Sequence, residues 1–122
     1  MAIPDLIDRQ FGIHGQAMQL RSQRMALIAS NIANAATPGY KARDVDFAAA
    51  LKASSNRASG SPSTSFATAL RYRVPVQASL DGNTVELATE QTAFAENALH
   101  YRASLSFLTS RIQTLTTALK GE

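Results

Sequence analysis

The sequence of 122 residues contains no cysteine and no tryptophan, and only 7% of its residues are aromatic. Without cysteine the chain can hold neither a disulfide framework nor a thiolate site, and with so few aromatic residues a thick aromatic core is not expected. No apolar run approaches the roughly 20 residues of a membrane-spanning helix. The first residues, MAIPDLIDRQF, also lack the basic and continuous apolar regions of a cleavable signal peptide. We therefore expect no membrane span and, outside the cytoplasm, a route that needs no cleaved signal.

A strong charge of either sign is missing as well. Twelve Lys and Arg residues against nine Asp and Glu residues leave a formal charge of +3, which is too small to require nucleic acid as a partner. Several basic residues do flank two tyrosines, namely Lys41, Arg43, Arg71 and Arg73 around Tyr40 and Tyr72. That pattern is compatible with a phosphate backbone but is unspecific, and we interpret it as a source of salt bridges between subunits.

The sequence shows no catalytic constellation. His14 and His100 lie far apart, each without a neighbouring Asp or Cys, whereas metal sites need clustered ligands. Asp44 and Asp46 lack further acidic neighbours, so we interpret them as solvated loop residues. Neither a G-x-S-x-G nucleophile turn nor a glycine-rich phosphate loop is present. We predict that the protein is not an enzyme and holds no metal or cofactor.

Apolar residues at helical spacing predict a long amphipathic helix over residues 5–34. Asp5 is positioned to cap its start. Gly12 and Gly15 each lower helix propensity by about 1 kcal/mol, so firm helix is expected from about Gln16. The apolar stripe comprises Ile7, Phe11, Met18, Met25, Ile28, Ile32 and Ala35.

A second and stronger periodic pattern covers residues 84–119. Asn83 and Glu86 are spaced as a capping box before it. Ten positions then recur at spacings of four and three without a break, and nine of them are apolar: Leu87, Gln91, Phe94, Ala98, Tyr101, Leu105, Leu108, Ile112, Leu115 and Leu119. We call these ten positions the apolar seam. Their period of 3.5 residues is typical of left-handed coiled-coil packing.

The insert between the two helices, residues 41–82, has weak patterns. The alternation in DVDF indicates a short extended piece before the helical run FAAAL. Residues 53–69 are almost all small or polar, which predicts a flexible loop. A second β-like piece is expected around Tyr72–Val76, where Pro75 excludes a central strand.

Together the patterns predict a mainly α protein of one domain. Residues 1–40 form the N-terminal helix and joint, residues 41–82 an irregular loop-rich insert containing a short β-like piece, and residues 83–122 the C-terminal coiled-coil helix. The two long amphipathic helices are expected to pack as a coiled-coil-like hairpin. Because a lone hairpin would leave its narrow apolar stripes exposed to water, we expect the helices to need other copies or partners.

The stretch Ser30–Lys41, SNIANAATPGYK, is the joint at which the N-terminal helix must end. Asn34 tolerates the left-handed backbone of a helix end, and Pro38-Gly39 is a strong turn signal. Asn31 lies three residues before Asn34 on the same helix. Two interpretations of these amides stay open: they are helix caps, or they are buried groups that bond the backbone of a neighbouring helix end and set its register.

The run ASNIANAATPGYKARDVDF, residues 29–47, resembles the N-terminal signature of flagellar axial proteins, the rod and hook group. Its part YKARDVDF is similar to the proximal rod members of that group. So is the stretch at residues 81–112, notably AENALHYRASLSFL. The resemblance covers both ends, about two-thirds of the chain, and leaves residues 53–69 unmatched. Ala36 departs from the pattern, because an acidic or other polar residue is common there.

The resemblance implies a structural subunit that is exported through the flagellar type III apparatus without signal cleavage. It implies assembly into the helical rod within the periplasm, at the base of the flagellar basal body. The implied partners are the other proximal rod proteins, a rod-base adaptor protein, the MS ring, the export gate and copies of the same chain. Heterologous contacts that do not close into a ring would generate such a helical assembly.

We assign the subunit interface to the two helical stripes and the joint. The residues are Met18, Met25, Ile28, Asn31, Ile32, Asn34, Thr37, Pro38, Gly39, Tyr40, Phe94, Tyr101, Leu105, Leu108, Ile112 and Leu115. The alternative hypothesis is a basic amphipathic helical module that binds a membrane surface or nucleic acid. The modest charge and the narrow seam favour the structural subunit, with no nucleic acid as a partner.

Overall fold

The computed structural model describes residues 3–56 and 62–121 of the chain. Its elements follow in the order α1 (Ile3–Ala33), β1 (Arg43–Val45), α2 (Phe47–Ser55), α3 (Pro62–Ala69), β2 (Leu70–Tyr72) and α4 (Leu87–Lys120). The two long helices pack against each other, and a two-stranded sheet comes between them in the sequence. The predicted mainly α fold with a short β piece in the middle is confirmed. Its division into three segments of one domain stays a prediction.

The two long helices run antiparallel. Near the joint, Asn31 of α1 donates a hydrogen bond to Glu90 of α4. Further along the pair, the rings of His14 and Phe107 lie 4.8 Å apart between their centres. Later residues of α4 therefore lie beside earlier residues of α1. This is the geometry of a helical hairpin whose closed end is at the joint.

Helix α1 is continuous where the sequence predicted weakness. It begins at Ile3, two residues before the expected cap at Asp5, and it includes both Gly12 and Gly15. The low helix propensity of the two glycines is outweighed, because most helical stability in proteins comes from packing along the whole helix.

Helix α4 has a different start from the one predicted. Glu86 is its N-cap residue and makes no side-chain capping hydrogen bond, so the predicted capping box is wrong. The amide of Asn83 instead bonds carbonyl groups at the end of α1. The C-terminal end follows the usual chemistry: Gly121 adopts φ 73° and its N–H reaches the carbonyl of Ala118, a left-handed C-cap that favours glycine.

The insert is more regular than its composition suggested. Helix α2 continues through residues 53–55 and helix α3 occupies residues 62–69, so the prediction of a loop is wrong for those residues. Residues 57–61 lie outside the described part of the chain. Composition misled because small residues such as Ala50 and Ala69, both buried, let short helices approach α1 closely. Their helicity depends on tertiary packing that a local pattern does not contain.

The core of the protein is small and lies where the insert meets the middle of α1. Leu20 is completely buried there with Val45, Ala50 and Ala69, and Phe47, Leu51 and Phe66 pack against this cluster. In contrast, every described residue of α4 beyond Leu108 is exposed. The core therefore holds the insert on the joint half of the hairpin, and the open half has little to cover it.

The sheet consists of β1 and β2 in antiparallel register. Arg43 lies opposite Tyr72, Asp44 opposite Arg71, and Val45 opposite Leu70. The second strand therefore begins two residues before the expected β-like piece, and Pro75 lies outside it. Asp46 follows β1 directly and caps α2, because its Oδ1 accepts from the backbone N–H of Ala49 at 3.1 Å.

Candidate assembly interface

The joint is held against the turn that precedes α4 by one buried amide. The Nδ2 of Asn83 lies 2.9, 3.0 and 2.8 Å from the carbonyl oxygens of Asn34, Ala35 and Thr37. Carbonyls at a helix C-terminus have no partner within the helix, so Asn83 caps α1 from a remote part of the chain. The N–H of Val85 in turn donates to the Oδ1 of Asn83 at 2.7 Å. This fixes the end of α1 to the start of α4.

Backbone hydrogen bonds reinforce the same contact. The N–H of Gly39 donates to the carbonyl of Asp81, and the N–H of Thr84 donates to the carbonyl of Tyr40, both at 2.9 Å. Gly39 and Gly82 have φ of 74° and 76°, a backbone region that glycine adopts without strain. The two turns therefore interlock, and the joint has one exit direction.

Asn31 is completely buried and satisfies both ends of its amide inside the subunit. Its Nδ2 donates to the carbonyl of Arg43 at 2.7 Å and to Oε2 of Glu90 at 3.1 Å. Its Oδ1 accepts from the hydroxyl of Tyr40 at 3.2 Å and from the N–H of Arg43 at 3.3 Å. The side chain thus pairs with the free edge of β1 as a neighbouring strand would. Of the two interpretations of Asn31, neither describes this bonding.

Asn34 behaves differently. Its Nδ2 donates to the carbonyl of Ser30 at 2.8 Å, one turn back in the same helix. Its Oδ1 accepts from the hydroxyl of Thr37 at 3.1 Å. Asn34 is therefore a local helix-end residue, as the simpler interpretation held.

Four charged residues form a network beside Asn31. Nε and Nη2 of Arg24 donate to the two oxygens of Asp44 at 2.9 and 3.0 Å, a bidentate pair. Nη2 of Arg73 donates to the same carboxylate at 2.8 Å. Nε of Arg73 lies 3.0 Å from Oε1 of Glu90, close enough for an ion pair although the N–H does not point at the oxygen. The network joins α1, β1, the segment after β2 and α4, so the interpretation of Asp44 as a solvated loop residue is wrong.

The electrostatics of this network favour its charged form. Burial alone would raise the pKa of Asp44, but the hydrogen bonds from Arg24 and from the Val45 N–H, with the charges of Arg24 and Arg73, bring it below its ordinary value of 3.8. The hydrogen bond to Asp44 also raises the pKa of Arg24, against the effect of burial. Glu90 has no exposed surface, and burying a carboxylate costs free energy unless such partners bond it.

Helix α4 turns a polar stripe, and not the apolar seam, toward α1. Its buried residues are Glu90, Ala93 and Asn97; the Nδ2 of Asn97 donates to the carbonyl of Arg21 at 2.7 Å. The seam lies one residue further round the helix. Seam residues remain open to water even where they adjoin α1, and 56% of Ile112 is exposed. The hairpin therefore covers only one flank of the seam.

The predicted interface residues fall into three groups by burial. Completely buried are Ile28 and Asn31; half-buried are Met18, Met25, Ile32, Asn34, Tyr40, Phe94, Tyr101 and Leu108; exposed are Thr37, Pro38, Gly39, Leu105, Ile112 and Leu115. The first two side chains are used inside the subunit and do not reach its surface. For the others, contact with a second subunit stays a prediction.

Two apolar grooves run between α1 and α4. One, of about 510 Å³, brings Met25 together with Tyr101 and Leu105. The other, of about 450 Å³, is lined by Phe11 of α1 and by seam residues from Leu108 to Leu119. Predicted residues of the two helical stripes thus meet along one face of the hairpin.

The two histidines, distant in sequence, line one small pocket. His14 and His100 reach it from opposite helices, together with Phe107, and its volume is about 250 Å³. Within residues 3–56 and 62–121 no group of three or more His, Cys, Asp or Glu side chains is placed to hold a metal ion. The pocket has the chemistry of an aromatic contact between helices.

Comparison with known proteins identifies the fold's family. A family model described as Flagella basal body rod protein matches residues 11–41. The flagellar basal body rod protein FlgB of Cereibacter sphaeroides is 54% identical over 124 aligned residues, covering 93% of this chain and 95% of the relative. The proteins of that name from Salmonella typhimurium and Escherichia coli are each 40% identical, covering 96% of this chain and 97% of theirs.

The chain belongs to the FlgB family of flagellar basal body rod proteins. Its resemblance to flagellar axial proteins is therefore confirmed, and so is the narrower likeness to FlgB. As a FlgB family member it is a structural subunit of the rod in the flagellar basal body and not an enzyme. No helix in the part of the chain that the structure describes is long and apolar enough to cross a membrane.

The sequence prediction missed the roles of three polar residues that organise the hairpin of this FlgB family member. Asn83, Glu90 and Asn97 each bond a part of the chain more than forty residues away. They recur every seven residues, two helical turns, which places Glu90 and Asn97 on one face of α4. That spacing is the signal that could have identified them. The apolar pattern of the seam runs next to these polar residues and is longer, so the prediction was based on the seam instead.

Proposed function

We propose that this FlgB family subunit packs in the rod through the apolar seam of α4 and the adjoining flank of α1. The observation that supports the proposal is that the apolar face of α4 is not the face buried against α1. Six of the ten seam residues are exposed and the other four are only half-buried, while two of the three residues buried on α4, Glu90 and Asn97, are polar. A subunit that worked alone would gain by the opposite arrangement, because burial of apolar surface is the main stabilising term.

The open half of the hairpin supplies the area. Leu119 is 88% exposed and Ile112 is 56% exposed, and the groove beside them is lined almost entirely by apolar side chains. Complete burial of a Leu or Ile side chain stabilises by about 1.5–3 kcal/mol. Several such residues in one line, repeated on each subunit, are enough to drive association of helices whose own hairpin buries little.

The place in the assembly follows the family. We propose a position in the proximal rod within the periplasm, reached by type III export without a cleaved signal. The partners are other proximal rod proteins, copies of this chain, a rod-base adaptor protein, the MS ring and the export gate. Subunits related by a screw operation present one surface to a different surface of the next copy, which suits the separate faces of this hairpin. The formal charge of +3 is not concentrated on α4. Nothing in residues 3–56 and 62–121 favours the alternative of a module that binds nucleic acid or a membrane surface.

The test replaces one exposed seam residue by a charge. Ile112→Asp is expected to abolish swimming while leaving the amount of the protein in the cell unchanged, because an unpaired carboxylate cannot be buried between helices. Gln113→Asp is the matched control, since Gln113 is the exposed neighbour outside the seam, and it is expected to swim normally. Basal bodies purified from both strains show directly whether the chain is incorporated.

Normal swimming and incorporation of Ile112→Asp would remove the seam from the interface. Equal loss in the Gln113→Asp strain would show that any charge on this part of α4 is harmful and that the seam has no special role. Salt-sensitive binding of the purified wild-type protein to anionic vesicles or DNA would instead support the alternative.

A further inference from the structure

A second surface lies away from the helices, on the segment that follows β2. Tyr72, Val74 and Val76 are 71%, 86% and 86% exposed. They alternate with residues that are anchored: Arg73 is bound to the ion network, and Pro75 is half-buried. Three large side chains at spacing two therefore point to solvent from one extended segment, although polar residues are what an exposed strand normally presents.

The backbone of this segment is open on the same side. The N–H of Arg73 donates to Ala42 and that of Asp46 donates to Ala69, so the odd-numbered residues of β2 face β1. In an antiparallel pair the intervening residue then turns its N–H and C=O to the other edge. Tyr72 does so, and no hydrogen bond from residues 3–56 or 62–121 reaches its outward N–H or C=O.

The two edges of the sheet are treated differently by the fold. The outer edge of β1 is closed, because the amide of Asn31 bonds both the N–H and the C=O of Arg43. The outer edge of β2 is covered at its two ends: Nη1 of Arg71 donates to the carbonyls of Thr68 and Leu70, and Oε1 of Glu86 accepts from the N–H of Val76. The stretch from Tyr72 to Val74 lies between these ends and has no such cover among the described residues. An uncovered edge with large apolar side chains is a template for another strand.

The charged side chains around the segment indicate which kind of strand could pair with it. Arg43 and Arg71 are exposed beside the segment. Of the carboxylates near it, Asp44 is already neutralised by two arginines, and Glu86 accepts from the N–H of Val76. A symmetric pairing with a second copy would place these arginines against their own equivalents, which is unfavourable. The flank is complementary to acidic residues on a different chain.

We propose that the open stretch of this edge from Tyr72 to Val74, with the side chains of Tyr72, Val74 and Val76, binds an extended segment of a different protein in which apolar residues alternate and acidic residues flank them. The proposal rests on the proposed function only in that the partner is met in the assembled rod. The surface used is separate from the apolar seam. Main-chain hydrogen bonds supply the pairing, and the arginines exclude copies of the same chain.

The experiment places the photo-crosslinking residue p-benzoylphenylalanine at Val74 in flagellated cells that use this chain as their rod protein. A covalent adduct with a different chain is expected, and mass spectrometry of its peptide is expected to show an alternating apolar segment with acidic flanks. The same probe at Lys52, exposed on α2, is the control and is expected to give no adduct. An adduct only with a second copy, an adduct with a helix or a loop, or no adduct at Val74 overturns the proposal.

Two further variants separate the backbone from the side chain. Tyr72→Ala removes the ring, whereas Tyr72→Pro removes the outward N–H as well and leaves the hydrogen bonds to β1 in place. The adduct from Val74 is expected to weaken in the first and to be lost in the second, with unchanged helical circular dichroism in both. Equal yields in the two variants would exclude strand addition.

A probe at Ile112 distinguishes this proposal from the proposed function. Adducts at Ile112 without adducts at Val74 would leave the seam interface standing and remove the strand-edge partner. Adducts at Val74 without adducts at Ile112 would do the reverse.

Discussion

Replacement of Asn31 by leucine should destabilise the subunit strongly although the two side chains have similar size. Leucine fills the space of the amide, so water cannot take its place. Three groups that face the buried amide then lose their partner beneath the leucine side chain: the N–H and the C=O of Arg43 and one oxygen of Glu90. Each buried polar group left unpaired costs about 1–3 kcal/mol. We expect a loss of at least about 3 kcal/mol, a large share of the 5–15 kcal/mol that stabilises a typical domain.

Asn34→Leu is the matched control because it makes the same chemical change three residues away. The Asn34 amide bonds only the carbonyl of Ser30 and the hydroxyl of Thr37, both of which water can reach at the exposed helix end. Its loss should lower the free energy of unfolding by no more than about 1 kcal/mol. The assay is urea denaturation of both purified variants, followed by circular dichroism at 222 nm.

The melting temperature offers a second reading. For a chain of this length, 1 kcal/mol corresponds to roughly 3–5 °C, so Asn31→Leu should melt at least about 10 °C below the wild type. Similar shifts for the two variants, or a larger one for Asn34→Leu, would refute the assignment of Asn31 as the residue that closes the edge of β1.

Further predictions concern the other contacts of the fold. Asn83→Ala should speed amide hydrogen exchange at Gly39 and lower stability by about 1–3 kcal/mol, because the carbonyls at the end of α1 lose their cap; unchanged exchange would contradict the remote cap. The depressed pKa of Asp44 stabilises the fold above its ordinary value of 3.8 and this contribution disappears as pH falls through the lower folded value. Acid titration should therefore bring wild type and Asp44→Asn together at low pH, and a gap that widens on acidification would reverse the sign of the argument. Leu20→Ala, at the completely buried centre of the core, should cost about 2–5 kcal/mol, whereas Leu99→Ala, at a side chain 68% exposed, should cost under about 1 kcal/mol.

Local patterns were sufficient for the long helices and their ends. The apolar period places α1 and α4 within a few residues of their observed limits, because a stripe that repeats over many turns has one periodicity that fits. The turn at Pro38-Gly39 was equally readable, since only glycine adopts its φ of 74° without strain. The short helices of the insert could not be predicted from the sequence. Their Ala and Ser residues give little apolar periodicity, and those residues are buried only because α1 packs against them.

The face by which α4 meets α1 could not be read from the period. The seam and the polar stripe differ by one residue, about 100° around the helix, and by apolar content the seam is the better candidate. The stripe is buried because of what lies opposite it. Glu90 meets Arg73 and Asn31, and Asn97 meets the carbonyl of Arg21.

The sequence by itself thus determined that two long helices flank a joint and that one of them carries an apolar seam. It also indicated the family, since the residues of the joint lie in the stretch that the family model matches. Only the tertiary structure decided which side chains are buried or bonded inside the subunit and which remain on its surface. The physical reason is that the partners of the polar stripe come from elements up to 76 residues away, and a charge or an amide is stable in the interior only where such partners converge. The seam, which needs no specific partner atom, is left largely uncovered in the subunit, and this is why we propose it as the assembly surface.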